Sequence, residues 1–175
     1  MLTLTQIFLH TPKWVFVLFA TLVWLGAKQL FANSVGLGRV TVMPIVMTAL
    51  SIFGVTSAFG DSPTALLAWA AAALVALALV LRRGLPAGTR YMPASRTFHL
   101  AGSAVPLALM MGIFFTKYAV GATLAMHPEI RHDAALALAV PLMYGLFSGV
   151  FAGRALRLWK LAMREDRVLY NAGGA

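Results

Sequence analysis

Residues 64–81 read TALLAWAAAALVALALVL and are closed by Arg82 and Arg83. The run carries no charge. At 1.5 Å per residue, about 20 such residues cross a hydrocarbon layer about 30 Å thick. A helix satisfies its own backbone N–H and C=O groups where no water can, so the run is read as a membrane-spanning helix. Similar apolar runs lie on both sides of it, at residues 12–31, 40–59, 100–126 and 134–153. The first opens on Thr11 and Pro12, which read as an N-cap followed by a proline at the first helical position. The second sits between Arg39 and Asp61, the fourth is interrupted by Lys117, and the fifth ends at Arg154. No stretch shows the period-2 alternation of a membrane barrel, so strands are not expected. The expected fold is an all-α polytopic membrane protein, a five-helix transmembrane bundle in one domain.

Composition points the same way. Of 175 residues, 61% are hydrophobic and 11% charged, with a mean hydropathy of +0.84. Soluble domains carry about 25% charged residues, so too few exist here to cover a water-exposed surface. There is no cysteine, which removes disulfides, thiolate metal sites and cysteine nucleophiles. The net charge of +9 is clumped between apolar runs, the pattern of membrane topogenesis and not of a nucleic-acid-binding face.

The clumps orient the bundle. With five spans, one side holds Lys28, Arg39, Arg82, Arg83, Arg90, Arg96, Arg154, Arg157, Lys160, Arg164 and Arg167, and the other only Lys13 and Arg131. By the positive-inside rule the N-terminus faces out and the C-terminus faces the cytoplasm. The expected location is the bacterial inner membrane. The first run has no small-x-small cleavage site in residues 29–34 and reads as a retained helix. Residues 1–11 read as a short interfacial helix on the outer face. Residues 82–99, with Gly84, Pro86, Gly88 and Pro93, read as a basic cytoplasmic loop. Residues 155–170 read as a continuation of the fifth helix into the cytoplasm, with fraying over residues 171–175. An internal echo, Arg39 before Pro44 and Pro63 against Arg96 before Pro106 and Pro128, fits either two hairpin repeats or chance.

The stretches LHTPKWVF (residues 9–16), GSAVPL (102–107) and YGLFSG (144–149) resemble a family of small proteobacterial inner-membrane proteins whose domain has no known function. The resemblance covers nearly the whole chain and implies a membrane location without a chemistry. Arg39-x4-Pro44, Tyr91-x4-Arg96-x-Phe98 and Lys117-Tyr118 are more loosely similar to small membrane proteins encoded beside cytochrome c maturation genes.

Three sets of residues are candidates for chemistry or assembly. Lys117, with Tyr118 beside it and Tyr144 on the fifth helix, is one. Counted from Ser103, Lys117 stands about 20 Å along its helix. A lysine at that depth either marks a functional polar site or snorkels along its stem to the outer headgroups. We expect the amine to reach the headgroup layer. His10, His127 and His132 form an outer-face set beside Asp61, Glu129 and Asp133, which reads as a solvated polar loop or as a metal site. The i,i+5 spacing of His127 and His132 places them on different helix faces. Gly145, Gly149 and Gly153 make a glycine-zipper stripe along which another helix could approach closely, in the same chain or in a second copy. Pro141 should loosen the same helix.

No nucleotide loop, Ser–His–Asp order or HExxH is present, so neither an enzyme nor a resident cofactor is expected. A structural or accessory membrane component is the first reading, with the lipid bilayer, a second copy or another membrane protein as partner and no nucleic acid. A dimeric carrier of small solutes or ions is the second. A redox or cytochrome-assembly accessory is the third.

Overall fold

The computed structural model describes residues 12–60, 62–127 and 133–173. The interfacial helix expected over residues 1–11 lies outside them. Five helices are long and apolar enough to cross a membrane. They are α1 (Lys13–Ala27), continued by a 3-10 turn at Lys28–Leu30, α2 (Leu37–Phe59), α3 (Pro63–Arg82), α4 (Val105–Met126) and α5 (Ala134–Gly173). Their surfaces are apolar outward: Ile45, Phe53 and Leu67 are each more than half exposed. Such faces suit lipid and would be a liability in water. Pro63 stands in the first turn of α3, where its missing N–H costs nothing. Pro12 precedes α1 rather than opening it.

Helix α5 organises the bundle. It has 40 residues, about 60 Å at 1.5 Å per residue and about twice the hydrocarbon thickness. Its inner half lies on α3 through the glycine stripe. A Cβ at Gly145 would collide with the carbonyl oxygen of Trp69, and one at Gly149 with that of Ala73. One at Gly153 would stand 2.8 Å from Val80 Cβ. The stripe therefore faces α3 of the same chain. Alanines at 72 and 76 complete the other side of the seam, with Cβ atoms 3.0 Å and 2.8 Å from the positions a side chain would need. Helix α1 packs on α4, where Gly26 receives Leu107 and Phe19 meets Phe114 at 5.3 Å between ring centres.

A three-stranded antiparallel sheet corrects the expectation that strands are absent and that residues 82–99 are a loop. Strands β1 (Asn33–Gly36), β2 (Arg90–Met92) and β3 (Thr97–Leu100) are ordered β1-β3-β2. Consequently α4 begins at Val105, not near residue 100. The register sets Val35 against Phe98 and Tyr91 against Phe98 on one face, and Ser34 and Arg90 against His99 on the other. The first face is buried against Val40 of α2 and Ala162 of α5, and Phe98 is wholly enclosed. Tyr91 packs on Phe98 at 4.9 Å between ring centres, and its hydroxyl donates to Asp166 Oδ2 at 3.5 Å. Burial, and then the Asp166 carboxylate, push the Tyr91 phenol above its ordinary pKa against the opposing effect of Arg96. Trp159 Nε1 donates to Thr41 Oγ1 at 2.9 Å, tying the extension of α5 to α2.

Filling the seam should separate α3 from α5. Gly149→Leu is expected to lower the melting temperature in detergent sharply, since overpacking alone costs about 1–3 kcal/mol. Gly121→Leu, on α4 with open space around it, should leave it nearly unchanged. Equal melts for the two variants would mean that the seam does not hold the bundle.

Candidate functional site

Polar groups inside a membrane bundle must find partners within the protein. Among the described residues, α2, α3 and α5 bring three such groups together near the bundle centre. Ser51 and Ser148 are buried. Trp69 Nε1 donates to Ser51 Oγ at 2.9 Å, and Ser51 Oγ donates to the carbonyl of Tyr144 at 3.1 Å. Ser148 Oγ donates to the same carbonyl at 2.9 Å. One hydroxyl thus links an indole on α3 to the backbone of α5. The close approach at Gly145, beside Tyr144, makes that reach short. The Tyr144 ring is almost fully enclosed with Val55, Ala65 and Val140.

Lys117 lies at the edge of this group. Its Cε would stand 3.3 Å from a Cβ at Gly54, and the Tyr144 ring edge 3.4 Å from the same point. The missing side chain at Gly54 therefore makes the shelf on which the lysine stem and the tyrosine ring both rest. Lys117 Nζ lies 5.7 Å from the centre of the Phe53 ring, within cation–π range. The lysine remains exposed on the outside of the bundle. Tyr118 points elsewhere: it stacks on Phe114 at 6.3 Å with the planes 8° apart, in the aromatic group that Phe19 joins from α1. Lys117 and Tyr144 are thus brought together at Gly54, while the Tyr118 ring packs on Phe114.

The outer-face histidines are placed only in part. His10 and His132 lie outside the described residues, as do Asp61 and Glu129. His127 closes α4, its N–H bonded to the Thr123 carbonyl at 2.8 Å. Asp133 caps α5, accepting from the Leu136 N–H at 3.0 Å. Among the described residues, no group of three metal-ligating side chains forms. His99 sits on the outer face of the sheet, with Nδ1 3.4 Å from Ser34 Oγ.

Ser51 and Trp69 are the participants that sequence reasoning missed. A single serine or tryptophan in an apolar run is common, and nothing local pairs positions 18 residues apart on different helices. The signal that could have flagged Ser51 is its place as a hydroxyl in the middle of a span, where it needs a partner.

The sequence pattern of a family of unknown function, DUF6622, matches residues 1–169. No curated protein and no solved structure matches the chain.

Removing the Ser51 hydroxyl deletes one acceptor and one donor together. Ser51→Ala is expected to cost about 1–2 kcal/mol of stability, at the upper end for hydrogen bonds between membrane helices. Trp69→Phe should cost little more in the Ser51→Ala background than a loss of packing. A double-mutant cycle measured by thermal or denaturant unfolding in detergent checks this, and strictly additive effects would contradict the bond.

Proposed function

The chain belongs to DUF6622, a family of unknown function, and on that premise we propose that it is a structural or accessory component of the bacterial inner membrane. It crosses five times with the N-terminus outside and the C-terminus in the cytoplasm, and it works without an enzymatic reaction of its own. The observation that carries this reading is the direct packing of the bundle centre. The backbone of α5 lies on that of α3 at Gly145 and Gly149, and the Tyr144 ring and Ser51 hydroxyl fill the space beside them. A carrier needs a polar path that opens to alternating sides around a central site. Here Lys117 rests on the outer surface of the packed helices and faces the Phe53 ring. The lysine is read as lipid-facing, with its stem carrying the amine toward the outer headgroups. The basic side of the bundle supports the orientation: Arg82, Arg90, Arg96 and Arg154 all stand at that end, on the sheet or next to it.

Two measurements test the reading. Alkaline phosphatase fused after residue 133 is expected to be active and fused after residue 90 inactive, and the reverse pattern would invert the orientation. Separately, vesicles containing the purified protein should hold a proton gradient and an osmotic gradient as long as protein-free vesicles do. Faster collapse of either gradient would move the assignment to an ion or solute carrier.

A further inference from the structure

At the basic end of the bundle, the end of α1, the strand edges, the start of α4 and the flank of α5 line a partly open cavity of about 50 Å³. One water needs about 10–15 Å³ by the same measure, so the cavity takes a group of several heavy atoms. Arg154 and Arg157 line it, with Asn33, Thr89 and Ser103. The two arginines are three residues apart, which puts them on one face of α5, close enough to repel each other. Among the described residues, no carboxylate lines the cavity.

Arg157 is held in place by its own bonds. Its Nη1 donates to the Gly84 carbonyl at 2.6 Å and to the Arg83 carbonyl at 3.2 Å. The same pose leaves its Nε buried with no hydrogen-bond partner. A buried donor on a cation is costly to leave unpaired. Ser103 accepts from the Val105 N–H at 3.3 Å, so its hydroxyl proton is free to donate. Two cations with no carboxylate between them and a free hydroxyl around one small space suit an anion with several acceptor oxygens. Guanidinium forks match the oxygens of a phosphate.

The level of the cavity in the membrane fits as well. Arg154 is 20 residues beyond the start of α5 at Ala134, about 30 Å along the helix, which is one hydrocarbon thickness. Arg154 therefore stands in the headgroup layer, where Phe31, largely exposed, forms part of the apolar wall of the cavity. We propose that this cavity binds a phosphate group, carried by an anionic lipid headgroup or free in solution, with Arg154 and Arg157 as its anchoring cations.

The test uses the full chain in maltoside micelles and reads the melting temperature. Three titrations are compared: inorganic phosphate, sodium chloride at matched ionic strength, and phosphatidylglycerol added to the micelles. Phosphate, phosphatidylglycerol or both should raise the melting temperature beyond chloride. Arg154→Gln should shift the concentration needed by about tenfold or more, the loss of a charge-assisted bond. Arg157→Gln should do the same, and Arg154→Gln keeps the test sound if releasing the Gly84 carbonyl unfolds the former. Arg164→Gln and Arg167→Gln, on the exposed tail, should leave the titrations unchanged. A response to phosphatidylglycerol alone assigns the site to a lipid headgroup, and a response to inorganic phosphate assigns it to a soluble phosphate. No stabilisation beyond chloride, or equal losses in the tail variants, would overturn the proposal.

Discussion

Helix α5 can lie backbone to backbone on α3 because Gly145, Gly149 and Gly153 present no Cβ at the points where the carbonyls of Trp69 and Ala73 and the side chain of Val80 come closest. In lipid there is no hydrophobic gain from bringing two apolar helices together, so close packing and internal hydrogen bonds have to supply the attraction. The seam supplies the first directly. It also creates the second, since it draws the Tyr144 carbonyl to within reach of Ser51, and Ser51 to within reach of Trp69. Three helices are tied at one level by a single hydroxyl that accepts one bond and donates another.

The seam also decides what happens outside the hydrocarbon. Because α5 leaves α3 without a break, its residues 155–162 project beyond the bundle and present Ala162 and neighbouring apolar side chains. A helix face of that kind must be covered. Two chain segments more than fifty positions apart, residues 33–36 and 90–100, supply the cover by pairing into a small sheet. Its buried face of Val35, Tyr91 and Phe98 sits on the extension, while Ser34, Arg90 and His99 face away. The same geometry sets Arg154 and Arg157 beside the carbonyls that follow α3.

The candidate intramembrane group was half readable. Lys117 and Tyr144 could be singled out because a charge and a phenol are rare in such runs, and the structure brings their side chains to the same shelf at Gly54. Adjacency in sequence sets Tyr118 beside them, yet successive helix positions point about 100° apart, and its ring stacks on Phe114. Ser51 and Trp69 carried no local mark. The sheet leaves no mark in the sequence for a related reason. Its strands have three or four residues each, too few for alternation to stand out from a loop rich in glycine and proline.

The sequence by itself determined how many helices are long and apolar enough to cross among the described residues, and which helix carries a glycine stripe. These are local properties: hydrophobic length is counted along one segment against a fixed bilayer thickness, and glycine spacing is counted along one helix. Tertiary structure alone decided that the stripe meets α3 of the same chain, that Ser51 bonds to a carbonyl 93 positions away, and that Arg154 and Arg157 close a cavity with Asn33 and Ser103. Each of those contacts depends on the rotation and register of one packed helix against another. No single segment encodes that relation, because it is set by how several surfaces fit together at once.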